Sequence, residues 1–127
     1  MIATRKVLAF SAGVEAVTGL ALIALPALVG RLLLGGEVTG PGLVVARCFG
    51  VALLALSLAV WPRGAATVQS ERAMLLYNAG LAMYFAWLGT AGHLAGPLLW
   101  PAAIIHSVVA ALLARPLSPG AGVEANR

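Results

Sequence analysis

The sequence predicts an all-α membrane protein in which four transmembrane helices form an up-down bundle, with a short amphipathic segment after helix 1. Three observations predict it. Hydrophobic residues make up 61% of the 127 and charged residues only 9%, against about 25% charged in a soluble domain. A soluble chain this short buries too little of its surface to hide so much apolar side chain. Four apolar runs each approach the roughly 20 helical residues that cross about 30 Å of hydrocarbon.

The first run covers about residues 7–25 and stops at Pro26. Arg5 and Lys6 precede it as in a secretory leader, but Glu15 interrupts the apolar stretch and no Ala-x-Ala site follows. The expectation is therefore a retained helix. Residues 27–34 are too few to span again. With Arg31 turned to water, they are expected to lie along the outer interface as an amphipathic piece. Residues 35–42, Gly-Gly-Glu-Val-Thr-Gly-Pro-Gly, form a loop dense in breakers. The second run covers about 43–61 and ends at Pro62. A polar connection over 63–73 leads to the third, about 74–92. A turn over 93–97 leads to the fourth, about 98–114. Residues 1–116 thus make one transmembrane domain, and 117–127 a flexible cytoplasmic tail rich in Gly and small residues.

Orientation follows from Lys and Arg in the short loops. An even number of spans puts both termini and the 63–73 connection on one side. That side carries Arg5, Lys6, Arg63, Arg72, Arg115 and Arg127, and the other only Arg31 and Arg47. The expected location is a bacterial inner membrane with both termini cytoplasmic. Trp61 then meets the inner interface and Trp87 and Trp100 the outer one, as aromatic belts do. Tyr77 fits an inner belt position. The basic residues are scattered singly, which argues for topology signals and against nucleic acid as a partner.

Ionisable groups inside spans are costly and so mark candidate sites. Glu15, Arg47 and His106 are such groups, with Asn78 and Tyr84 as uncharged companions. At about 1.5 Å of rise per residue, Glu15, Tyr84 and His106 are expected at one level near mid-membrane, with Arg47 nearer the outer surface. Ser11, Glu15, Thr18 and Gly19 share one face of their helix. Arg47, Gly50, Leu54 and Ser57 share a face of the second, and Ala103, His106 and Ala110 a face of the fourth. Small residues beside polar ones let backbones approach, so these faces are expected to meet inside the bundle.

No phosphate-binding loop, nucleophile elbow or HExxH helix is present, so no catalytic residue is expected. Aspartate is absent and Cys48 is the single cysteine, which leaves no recognised metal-ligand spacing and no intrachain disulfide. No cofactor is expected, and a bis-histidine haem lacks a second His at the depth of His106.

Several stretches resemble a set of small four-helix bacterial membrane proteins of uncharacterised role. They are Val14-Glu15-Ala16-Val17-Thr18-Gly19-Leu20-Ala21-Leu22 with Pro26 and Leu32-Leu33-Leu34-Gly35, then Ala46-Arg47 and Gly50-Val51-Ala52-Leu53-Leu54 through Trp61-Pro62. Leu76-Tyr77-Asn78-Ala79 follows, then Gly96-Pro97-Leu98-Leu99-Trp100-Pro101-Ala102 with His106. The likeness covers about residues 8–114 and implies the four-helix layout, as does a fold-level likeness to DoxX-type membrane proteins. The position of Glu15 in the first helix is also similar to that of the essential Glu of small multidrug resistance transporters. The Trp-Ser-Gly pattern of their third helix is missing here.

Three functional expectations follow. The first is a non-enzymatic membrane protein that packs with itself or with a larger complex through its intramembrane polar residues. The second is a proton-coupled transporter of lipophilic cations working through Glu15 as a homodimer. The third is a binder of quinone or lipid that uses Tyr84 and His106 as hydrogen-bond partners.

Overall fold

A computed structural model describes residues 2–63 and 66–115; the tail expected over 117–127 lies outside the described residues. The described residues form five helices and no strand. Two of them, α1 (Ile2–Ala24) and α3 (Pro41–Val60), are long and apolar enough to cross a membrane. The others are α2 (Pro26–Leu34), α4 (Val68–Thr90) and α5 (Leu99–Ala114).

Helix boundaries follow local chemistry. Pro26 lacks an N–H and has a fixed φ, so it breaks from α1 and starts α2 at the first helical position. α2 ends on Gly35, whose φ of 72° gives a left-handed cap with its N–H bonded to the Arg31 carbonyl. α3 likewise begins on a proline, Pro41. α4 starts at Val68, six residues before the third apolar run. Thr67 caps it by accepting from the Ser70 N–H at 3.1 Å. The polar first turn, Gln69 to Arg72, hides this start from hydropathy.

The long helices pair as α1 with α3 and α4 with α5, with lighter contacts between the pairs. The α1–α3 crossing is close because it is glycine on glycine. A Cβ on Gly19 would lie 2.8 Å from the Gly50 carbonyl oxygen, and one on Gly50 would lie 2.6 Å from that of Gly19. Small residues permit this approach where backbones must touch. At one end an apolar core of Leu8, Ala12, Val60, Met74, Val109 and Leu113 draws on all four long helices. At the other end Phe85, Leu88, Leu99 and Ala103 join α4 to α5, with Leu33 and Leu34 of α2 packed on them.

α2 is the short helical segment expected after the first span, with Arg31 exposed and Pro26 and Gly30 buried. It bridges the two pairs, touching α1, α3 and α5. Its last carbonyls, on Leu32 and Leu33, accept from the N–H groups of Leu98 and Gly96 at 2.9 and 3.0 Å. Gly96 is required at this joint, since a Cβ there would meet the Leu32 oxygen at 2.3 Å. Arg31 is exposed and pairs with exposed Glu37 at 2.9 Å. That surface pair contributes little to stability.

Polar side chains are buried in the bundle while large apolar ones cover much of its outside. Ser11, Glu15, Ser57, Asn78 and His106 are buried, while Phe10, Val17, Leu58, Leu76 and Ile104 are exposed. An exposed apolar surface of this extent marks contact with another apolar phase or partner.

Candidate functional site

A polar layer crosses the bundle between its two apolar ends and ties the four long helices together. From α3, Ser57 Oγ donates to the Ala12 carbonyl of α1 at 2.7 Å. From α4, the Asn78 amide nitrogen donates to the Met74 carbonyl at 2.8 Å and leans toward Ser11 Oγ of α1 at 3.4 Å. Asn78 Oδ1 lies 2.8 Å from His106 Nδ1 on α5. The amide orientation decides the imidazole tautomer. The nitrogen of Asn78 is committed as donor, so Oδ1 accepts, and the bonded His106 Nδ1 carries the hydrogen. In the neutral ring, Nε2 is then a lone-pair acceptor. The His106 ring is held by Tyr77, edge-on with centroids 5.8 Å apart, and by Phe85 at the same separation.

Glu15 occupies the same layer on α1. It is 2% exposed. Tyr77 of α4 donates its hydroxyl proton to Glu15 Oε2 at 2.7 Å. Glu15 Oε1 is buried and has no hydrogen-bond partner among the described residues. Arg31–Glu37 is the one ion pair found among the described residues, so none of their Lys, Arg or His side chains lies within ion-pair distance of Glu15. Buried polar groups are nearly always satisfied, and a lone unsatisfied carboxylate oxygen calls for an explanation.

A cavity of about 850 Å³ opens beside this layer. Glu15, Thr18, Tyr77 and His106 form its polar end. Apart from Tyr84, its remaining wall is apolar and comes from every helix, including Leu22 of α1, Leu32 of α2, Phe49 of α3, Phe85 of α4 and Ile105 of α5. Its size falls within the range of roughly 300–1,000 Å³ typical of small-molecule sites. α2 is part of its wall.

The structure brings together three of the five residues that the sequence singled out, Glu15, Asn78 and His106. Arg47 and Tyr84 stand outside the buried layer. Arg47 is exposed, and its Nε donates to the Ile23 carbonyl at 3.2 Å. That carbonyl sits in the last turn of α1, where free carbonyls and the helix dipole favour a cation. Tyr84 is 54% exposed, stacks on Trp87, and lines the cavity away from the layer. The tyrosine level with Glu15 is Tyr77, which the sequence reading placed in an interfacial belt. The early start of α4 explains the exchange. Counting depth from residue 74 rather than Val68 moves the expected level six residues too far along the helix, from the 77–78 pair to Tyr84. Spacing puts Ser57 on a face with Arg47 and Gly50, and its bond to the Ala12 backbone has no sequence signal beyond that spacing.

Among the described residues no group of three His, Cys, Asp or Glu side chains is placed to hold a metal. The chain matches no family model, no curated protein and no solved structure.

Proposed function

We propose that this chain is a four-span inner-membrane protein, non-enzymatic, that binds a lipophilic small molecule in the cavity between its helix pairs. The observation that carries the reading is the combination of an apolar cavity of about 850 Å³ with a single polar end built from Glu15, Tyr77 and His106. An apolar site with a few convergent polar groups is the usual form of a small-molecule pocket. Ionisable residues that face a bundle interior are the usual mark of function in membrane proteins.

Membrane insertion is supported by the many large apolar side chains exposed on the outside of the bundle, and by α1 and α3, which meet the length and hydropathy of spans. α5, with 16 residues, covers about 24 Å and reaches across if the bilayer thins or its ends snorkel. α4 crosses with its polar first turn outside the hydrocarbon. The Lys and Arg distribution then sets both termini in the cytoplasm. In this arrangement the hydrogen-bonded layer lies at mid-membrane, holds the helices together and presents the polar end to a ligand entering from the lipid. The expectation of Tyr84 as a direct partner gives way to Tyr77 and Glu15, with Tyr84 lining the cavity elsewhere.

Native mass spectrometry of the protein released gently from its own membrane tests this. The wild type is expected to carry a bound small molecule. Ala21→Trp, which fills the cavity from α1, is expected to fold and lose it. A bare wild-type chain, or an adduct unchanged by Ala21→Trp, would contradict the proposal.

A further inference from the structure

A second apolar recess, of about 360 Å³, lies between α1 and α5. Lys6, Val7 and Phe10 of α1 line it with Ile104, Val108 and Leu112 of α5. Lys6 and Phe10 are four residues apart, and Ile104, Val108 and Leu112 follow at the same spacing, so each set shares one face of its helix. α1 and α5 touch only lightly, which leaves a groove between them with buried Val109 at its floor. The start of α1 and the end of α5 share one end of the bundle, since Leu8 and Leu113 belong to the same apolar core. Lys6 and Leu112 therefore mark the mouth of the groove, and Ile104 lies about 12 Å deeper at the rise of a helix.

Charge is confined to the mouth. Lys6 is the one polar side chain among the described residues that line the groove. It is exposed, as are Arg5 before it and Arg115 at the end of α5. None of them has a carboxylate within ion-pair distance among the described residues. Glu71, in the first turn of α4, belongs to a helix that does not line the groove.

We infer that this groove holds an anionic phospholipid of the cytoplasmic leaflet, with its phosphate on the Lys6 ammonium and one acyl chain between α1 and α5. The inference rests on the membrane orientation proposed above and is independent of the cavity and its ligand. In that orientation Lys6 meets the cytoplasmic head-group layer. There a lysine lays its stem along apolar surface and extends its ammonium to the phosphates, and basic pockets between helices favour anionic head groups. The depth of the groove fits one leaflet. Bilayer hydrocarbon is roughly 30 Å thick, and the roughly 12 Å from Leu112 to Ile104 stays within half of it. A partner helix would call for an apolar seam along the whole span, whereas this groove stops at Ile104 and Ile105, next to His106. A zwitterionic lipid brings an ammonium of its own to a mouth that already carries Lys6, Arg5 and Arg115. Like charges repel there, so a head group of net negative charge is favoured.

Phosphatidylglycerol and phosphatidylcholine with identical acyl chains test the assignment. Each is titrated into the delipidated full-length protein in a neutral detergent, and the bound fraction is read by native mass spectrometry. Phosphatidylglycerol is expected to bind about fivefold tighter or more, the scale of one cation near a lipid phosphate. Lys6→Gln is expected to cut that preference about fivefold. Arg31→Gln, which removes an exposed cation on α2, is expected to leave it unchanged. Val108→Trp, which fills the groove, is expected to weaken both lipids, and Ala21→Trp, which fills the cavity, to weaken neither. Equal binding of the two lipids to the wild type would overturn the assignment. So would equal losses in Lys6→Gln and Arg31→Gln, because lipid would then follow charge in general. Phosphatidylglycerol that persists in a folded Val108→Trp would place the lipid outside the groove, and its loss in Ala21→Trp would place it in the cavity; either result overturns the inference. Lys6 is exposed, so Lys6→Gln is expected to fold, and the wild-type comparison decides the question even if Val108→Trp does not.

Discussion

Gly50→Ala, the addition of one methyl group, is expected to destabilise the bundle by about 2–3 kcal/mol, the upper part of the range for overpacking a tight contact. The new Cβ would sit 2.6 Å from the Gly19 carbonyl oxygen, 2.9 Å from Ile23 Cγ1 and 3.1 Å from Leu22 Cβ. The first of these is backbone and cannot rotate away, so α1 and α3 must separate. Separation pulls on the bond from Ser57 to the Ala12 carbonyl two turns away. Gly80 provides the control. Nothing lies within 4 Å of a Cβ built there, and Gly80→Ala is expected to stay within about 0.5 kcal/mol of the wild type. Denaturant titration of both variants in the same detergent, followed by circular dichroism, checks the contrast. Equal stability of the two would mean that the glycine crossing is not a close contact in the folded protein.

Asn78→Leu is the second large effect, expected at about 2–4 kcal/mol. Asn78 sits at the centre of the polar layer, with α5 on one side and α1 on the other. Leucine fills a similar volume but leaves the His106 N–H and the Ser11 hydroxyl without their partner. Each buried unsatisfied group costs about 1–3 kcal/mol. The variant also has a signature that loss of packing alone does not give. In the wild type the Asn78 carbonyl holds the hydrogen of His106 on Nδ1, which ¹⁵N chemical shifts read directly. In Asn78→Leu that tautomer is expected to lose its preference. With only two histidines in the chain, and His93 exposed in a loop, the resonances are separable. A His106 that keeps its Nδ1 hydrogen in Asn78→Leu would place its partner elsewhere.

How far the sequence led, and where it stopped, follows from what each signal measures. Hydropathy finds where the chain is apolar. α3 and α5, whose ends coincide with changes from apolar to breaker residues, begin and end within two residues of the expected runs. α4 does not, because its first turn is polar and carries no hydropathy signal. The cap at Thr67, with Ser70 three residues on, was the available sign of an earlier start. That one boundary accounts for the error at the site. Depth scales with distance from the helix start, so a start at residue 74 puts Tyr84 at the level that Tyr77 occupies with the start at Val68. Helical spacing placed Ser11, Glu15 and Gly19 on one face and Gly50 and Ser57 on another, and these faces meet in the structure. Spacing cannot say which partner a long side chain chooses. Arg47 shares a face of α3 with Gly50 and Ser57 by spacing, but it lies near the start of the helix, is exposed, and takes the Ile23 carbonyl at the end of α1. The docking of α2 on the Gly96–Leu98 segment is a backbone contact between distant parts of the chain, and only Gly96 hints at it in the sequence.

These particulars share one premise, that the apolar outer surface faces lipid and the polar layer faces inward. Spin labels test the premise most directly. On a Cys48→Ser background, single labels are placed at Val17, Leu58, Leu76 and Val108, one on each long helix and all exposed, with Glu37 in the loop after α2 as the water-facing reference. In liposomes, dissolved oxygen is expected to relax the four helix labels strongly, while a water-soluble nickel chelate relaxes only the label at Glu37. Nickel relaxation at Val17, Leu58, Leu76 and Val108 equal to that at Glu37 would contradict the account, because those faces would then lie in water and the bundle would not be embedded in a membrane.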